Sequence, residues 1–239
     1  MLKAIFFDLD GTLLPMDEDS FIKLYFNMLC NKVENKGYKK EELIDCIWKG
    51  TYAMYKNDGS KSNEEVFWNY FESIYGKEKL DDKALFDDFY KNEFKNTKSA
   101  CKENPLAREI VEFAKKNVQT VVLSTNPIFP SVGTEQRMNF VNLKKEDFDF
   151  ITVYENSAYA KPNPKYFMWL LEKFNLKPEE VILFGNNSLE DGDCASYCNI
   201  KCYLVGDFII HNPKSKGVYE EIKIEDIIPT IKKEIQLRK

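Results

Sequence analysis

Short apolar, β-branched runs recur along the chain and stop at small or polar residues: Ala4–Leu9, Thr120–Ser124, Phe150–Tyr154, Val181–Gly185 and Lys201–Val205. Runs of this length, bounded by turn-forming residues, read as strands. Around the last four lie stretches with apolar residues at helical spacing, at Leu106–Lys116, Tyr166–Phe174 and Glu225–Ile235. Strands that alternate with helices predict crossover units. The expected fold is α/β, a doubly wound (Rossmann-like) parallel sheet with helices on both faces.

Residues 17–97 break this rhythm. They hold four amphipathic stretches, Phe21–Asn31, Glu41–Tyr55, Asn63–Tyr75 and Lys83–Phe94, and no clear strand pattern. Turn signals separate them at Asn35-Lys36-Gly37, Asn57-Asp58-Gly59-Ser60 and Tyr75-Gly76-Lys77. The pattern predicts an all-helical cap domain over 17–97, inserted into a core domain made of 1–16 and 98–239. Most of the Phe, Tyr and Trp side chains here are expected to form the core of the helical unit, and the few left over to line a pocket. An insert placed just after the first strand overhangs the carboxyl ends of the strands, where such sheets put their ligands. It reads as a lid.

Composition narrows the partners. With 239 residues, 44% hydrophobic and 31% charged, the chain is an ordinary globular one. The net charge is −5 and lysines are interleaved with acids, as in Lys77-Glu78-Lys79. No basic stripe offers itself to a phosphate backbone, so nucleic acid is not an expected partner. The start of the chain lacks the pattern of a signal peptide, and no run approaches the roughly 20 apolar residues that cross a bilayer. No membrane partner and a cytoplasmic location are expected. The six cysteines form no C-x-x-C pair and His211 is the only histidine, which argues against a zinc site. Cys194, Cys198 and Cys202 are expected as reduced packing thiols. His211 lies in a polar Ile210-His211-Asn212-Pro213 turn with no nucleophile beside it, and reads as a loop residue.

Candidate chemistry begins where the first apolar run ends, in Phe6-Phe7-Asp8-Leu9-Asp10-Gly11-Thr12. Period-two geometry brings the Asp8 and Asp10 carboxylates to one side of the chain. Two close carboxylates repel, and a divalent cation relieves that cost. Gly11 then permits a sharp turn, and Thr12 can cap the segment after it.

On these residues the chain resembles the haloacid dehalogenase superfamily, and its D-x-D-G-T resembles the phosphatase version of the first motif. The resemblance spans nearly the whole chain. It implies Asp8 as nucleophile and Asp10 as general acid and base. Its second motif falls on Val121–Asn126, with Thr125 as a catalytic hydroxyl and Thr125 and Asn126 holding phosphate. Ala160-Lys161-Pro162-Asn163-Pro164 matches the third, making Lys161 both catalytic and phosphate-binding. The fourth motif departs from the common G-D-x-x-x-x-D. In Gly185-Asn186-Asn187-Ser188-Leu189-Glu190-Asp191 the second acid is Asp191, but Asn186 replaces the first, and Asn187 stands where some relatives carry an acid. The implied metal set is Asp8, Asp10 and Asp191, with Asn186 as an uncharged amide ligand and Glu190 adding charge nearby.

The activity so implied is that of a Mg²⁺-dependent phosphohydrolase that acts on a small phosphorylated metabolite through an aspartyl phosphate on Asp8. Weak magnesium affinity is expected from the missing acid. Two alternatives stay open. A metal-independent 2-haloacid dehalogenase shares the fold and nucleophile, and the asparagines at 186 and 187 echo it, but Asp10 does not. A binding or regulatory protein on the same scaffold is the other, consistent with weak metal affinity. Specificity is expected from the cap and from loops such as Pro127–Pro130 and Thr134–Arg137. Arg137 could meet a substrate anion but reads better as a surface or structural arginine.

Overall fold

The computed structural model describes residues 1–238. Six parallel strands form one sheet: β1 (Ala4–Phe7), β2 (Thr120–Leu123), β3 (Phe150–Ile151), β4 (Val181–Gly185), β5 (Lys201–Val205) and β6 (Tyr219–Ile222), in the order β3-β2-β1-β4-β5-β6. The central strand β1 pairs Phe7 with Leu123 on one side and with Phe184 on the other. Strand order reverses across β1, which makes its carboxyl end the switch point of the sheet.

Side chains alternate across the sheet with period two. Ile5, Phe7, Val121, Leu123, Ile182, Phe184, Tyr203 and Val205 pack on one face, against α5 (Ala107–Asn117), α6 (Ser131–Phe140) and α9 (Ile227–Leu237). Ala4, Phe6, Val122, Leu183, Cys202 and Leu204 pack on the other, against α7 (Lys165–Lys173) and α8 (Cys194–Tyr197). Cys194, Cys198 and Cys202 are free thiols within this second core. The α/β expectation holds, with helices on both faces.

Between β1 and β2 lie α1 (Glu18–Val33), α2 (Lys40–Tyr55), α3 (Asn63–Tyr75) and α4 (Lys83–Lys91). Local sequence explains their starts. Asp17 caps α1 by accepting from the Ser20 N–H, and Ser62 with Glu65 forms a reciprocal capping box on α3. Inside, Tyr38, Trp68, Phe71, Tyr75 and Phe86 meet edge to face or tilted, the arrangement that ring quadrupoles favour. The two ends of the segment are stitched together, because Met16 bridges Cys101 and the Lys102 N–H donates to the Pro15 carbonyl at 2.7 Å.

Three readings of the pattern need correction. Strand β6, with its exposed Glu220 and Glu221, has no apolar run and was not predicted. The Phe150–Tyr154 strand shrinks to Phe150–Ile151, because Val153–Glu155 turn away to meet α3 and α6. The expected Thr134–Arg137 loop is part of helix α6. That helix buries one side, made of Gly133, Thr134, Arg137, Met138 and Phe140, and three of these five are not apolar, so it shows no apolar stripe.

Asn63 fastens the helical segment to the sheet. Wholly buried, it donates its backbone N–H to the Ser157 carbonyl and its Nδ2 to the Pro127 carbonyl at 3.0 Å, and its Oδ1 accepts from Asn57 at 2.8 Å. Asn63→Ala strands those side-chain partners in the interior. The expected loss is about 2 kcal/mol, read as a lower urea midpoint with an unchanged slope. An unchanged midpoint would show the clamp to be dispensable.

Candidate active site

The carboxyl end of β1 opens into a cavity of about 160 Å³, bounded by Asp8, Asp10, Thr125, Asn126, Lys161, Asn186 and Asp191 below and by α1–α4 above. Sequence-predicted residues from four separate segments thus converge. Asp8 follows β1 directly and stays in register, because its N–H donates to the Phe184 carbonyl of β4 at 2.8 Å. Its Oδ2 accepts from Thr12 Oγ1 at 3.3 Å. Gly11 has a φ of +77°, and a side chain there would run into Asn186, so the turn after Asp10 requires glycine.

Lys161 is the hub. Its Nζ donates to Asp8 Oδ1 at 2.8 Å and to Asp191 Oδ1 at 2.7 Å, and all three side chains are buried. Asp191 Oδ2 in turn accepts the N–H groups of Asn186 and Asn187, each at 3.1 Å. A carboxylate has roughly four acceptor positions, so Asp191 keeps one for a further partner. Gly185 makes this possible, since a side chain at that position would occupy the place of the Asp191 carboxylate.

The floor of the site carries four carboxylates, Asp8, Asp10, Glu190 and Asp191, against two cations, Lys161 and Arg137. Burial, only partly offset by Lys161, pushes the Asp8 carboxyl up to about 7; Asp191 and Asp10 push the same way. Burial likewise raises Glu190 to about 8, against the pull of Lys161. Asp10 is also raised by burial, opposed by Arg137 and Lys161. Burial works against the Lys161 ammonium, but Asp191 and Asp8 outweigh it and hold the group well above the usual lysine range. Negative charge is in excess.

The residues of the second predicted segment divide in role. Thr125 faces the cavity while its carbonyl is held from behind by Thr152 Oγ1 at 2.7 Å and Tyr166 Oη at 3.1 Å. The Asn126 side chain is committed to protein. It donates to Glu190 Oε2 at 2.8 Å and to the Lys161 carbonyl, and accepts the Lys161 N–H. Asn126 therefore braces the lysine loop, and what it can offer a phosphoryl group is its main chain. Asn187 is turned inward as a cap, accepting from the Leu189 and Glu190 N–H groups. Asn186 donates Nδ2 to the Phe208 carbonyl at 2.9 Å, which directs its Oδ1 elsewhere.

Of the two readings of Arg137, surface or structural, the second holds. It is 1% exposed. Its Nη1 donates to Asp10 Oδ2 at 2.7 Å, its Nη2 to Thr134, and the guanidinium lies 4.3 Å from the centre of the Phe129 ring. The one signal available in sequence was an arginine set beside Met138 and Phe140, positions that bury. Glu18 and Tyr55, which also border the cavity, gave none.

Comparison with known proteins places the chain in context. The family model for haloacid dehalogenase-like hydrolases matches residues 5–205. A phosphorylated carbohydrates phosphatase of Thermotoga maritima is 26% identical over 190 residues, covering 78% of this chain and 77% of that protein. A phosphoglycolate phosphatase of Vibrio parahaemolyticus is 26% identical over 206 residues, 82% of each chain. The structure resembles the crystal structure of a β-phosphoglucomutase from Clostridium difficile with a TM-score of 0.61 at 20% identity, covering 100% of this chain and 99% of that one.

Removing Lys161 leaves buried carboxylates unpaired. Lys161→Met is expected to destabilise the fold by about 3–5 kcal/mol at neutral pH. Adding Asp8→Asn should recover part of that loss, since it removes a repelling charge. Urea denaturation of the single and double variants checks this, and strictly additive losses would contradict it.

Proposed function

The chain belongs to the haloacid dehalogenase-like hydrolase family, and on that footing we propose that it is a phosphatase whose nucleophile is Asp8. The observation that carries the reading is the Asp8 carboxylate at the switch point of the sheet, on the floor of a cavity, 2.8 Å from a buried lysine and beside a second aspartate. Asp8 attacks phosphorus in line and forms an aspartyl phosphate. Asp10 gives a proton to the leaving oxygen and then takes one from the water that hydrolyses the intermediate. Arg137 holds the Asp10 carboxyl in place through Oδ2. Thr125 and Lys161 meet the phosphoryl oxygens as charge develops on them, so positioning and electrostatics supply most of the rate.

The residues fit a divalent cation. The buried cluster has more carboxylates than cations, and Asp10 Oδ1 is buried without a hydrogen-bond partner. Among the described residues no three His, Cys, Asp or Glu side chains form a cage by themselves. Asp8, the Asp10 carbonyl and Asn186 would hold the ion together with Asp191, the substrate phosphate and water completing the set; magnesium is the ion we propose. When bound, it neutralises charge on the phosphoryl group. Helices α1–α4 act in this reading as the lid that excludes water from the site.

Asp8→Asn is expected to reduce hydrolysis of p-nitrophenyl phosphate to background while leaving the circular dichroism spectrum intact. Substantial residual turnover in that variant would sink the assignment. Chelation with EDTA is expected to abolish the wild-type activity and millimolar Mg²⁺ to restore it. Activity that survives chelation, with halide released from 2-chloropropionate, would favour a dehalogenase instead.

A further inference from the structure

The cavity has two unlike halves. Its floor is the charged cluster, and its roof is aromatic. Phe21, Trp48, Phe67, Trp68, Phe86 and Tyr90, drawn from α1–α4, line it. Trp48 remains 46% exposed on the cavity rim.

Several polar atoms of this roof are already paired within the protein. Tyr25 Oη and Tyr90 Oη lie 2.9 Å apart, Trp68 Nε1 donates to Tyr154 Oη at 3.4 Å, and Thr51 Oγ1 donates to the Ile47 carbonyl of its own helix at 2.9 Å. A sugar needs several paired donors and acceptors at its hydroxyls, because each hydroxyl buried without a partner lowers affinity. What polar chemistry remains on the roof is the Glu18 and Asp87 carboxylates, the Tyr55 phenol and the Trp48 indole N–H, fewer partners than the full set of hydroxyls on a sugar requires.

Charge makes a second exclusion. The cations that border the cavity are Lys161 and Arg137, and each already pairs with aspartate at the floor. No lysine or arginine among the described lining residues is left to meet a second anionic group, while Glu18 and Asp87 would repel one. A carboxylate or second phosphate on the organic part of the substrate finds no counter-charge there.

The cavity, of about 160 Å³, takes a small organic group beside the phosphoryl group. We propose, resting on the phosphatase reading above, that the substrate is a phosphate monoester of a small apolar, ring-bearing alcohol, with a single anionic group and few hydroxyls. The aromatic roof stacks on the ring while Asp8 attacks the phosphorus; the P–O bond to the alcohol breaks, the alkoxide leaves with the proton from Asp10, and water later releases phosphate.

Benzyl phosphate, glucose 6-phosphate and phosphoglycolate test this, since all three leave as primary alcohols and differ in the organic part. Benzyl phosphate is expected to have the highest kcat/KM, by at least tenfold. Trp48→Ala, at a half-exposed position that the fold tolerates, is expected to narrow that advantage by about tenfold through loss of ring stacking. A higher kcat/KM for glucose 6-phosphate or phosphoglycolate, or an unchanged preference in Trp48→Ala, overturns the substrate class and leaves the phosphatase reading standing. No hydrolysis of any of the three, nor of p-nitrophenyl phosphate, overturns the phosphatase reading and this proposal with it.

Discussion

The buried ammonium of Lys161 is the constraint on which the rest of the site depends. A lysine enclosed this completely forfeits hydration worth several kcal/mol, and only close, well-oriented carboxylates can offset the loss. Asp8 and Asp191 do so from two different strand ends, at 2.8 and 2.7 Å. The ammonium therefore fixes the distance between the β1 and β4 edges of the floor. Its residue is itself held by main-chain contacts with Asn126, whose amide also reaches Glu190. One side chain thus ties three loops that are far apart in sequence, and any displacement of one of them unpairs a charge.

A charged floor of this kind has consequences for the helices above it. Electrostatic interactions strengthen as water leaves, so a cover of aromatic rings over the carboxylates raises the strength of every contact beneath it. The same cover makes unpaired charge more costly. Arg137 answers part of that problem. It sits on helix α6 between Asp10 and the Phe129 ring, and brings a second cation to a floor that Lys161 alone would leave with three uncompensated carboxylates. The aromatic helices and the buried arginine are in this sense one adaptation.

Much of this is legible in the sequence. Asp8, Asp10 and Lys161 stand at the ends of apolar runs or next to prolines, where backbone geometry leaves few options, and α/β alternation locates the floor they share. The helices of 17–97 carry apolar stripes, α1 and α3 also carry side-chain caps, and Asn63–Tyr75 is placed to the residue. The features that stay hidden depend on contacts across long sequence separations. Arg137 meets Asp10 over 127 positions, and the buried side of helix α6 includes Gly133, Thr134 and Arg137 itself, so no apolar stripe announces it. Strand β6 is exposed along Glu220 and Glu221 and exists because it pairs with β5. Asn126 shows its residue type and place, but not that its amide faces Lys161 and Glu190.

The fourth segment is where sequence and structure bear on each other most closely. With asparagine at both 186 and 187, the chain lacks an acid that its relatives' pattern would supply. The floor already holds Asp8, Asp10, Glu190 and Asp191 against Lys161 and Arg137, and burial pushes Asp8 and Glu190 toward neutrality. A fifth carboxylate at 186 or 187 would add like charge to a cluster that cannot keep all of its present ones ionised without help. Asn187 instead caps the turn that carries Asp191, and Asn186 hydrogen-bonds Phe208 and presents a neutral oxygen. Asparagine at both positions keeps further charge off a floor that Lys161 and Arg137 hold together. On the reading proposed above, a cation would be held here more by the phosphate it arrives with than by the protein alone.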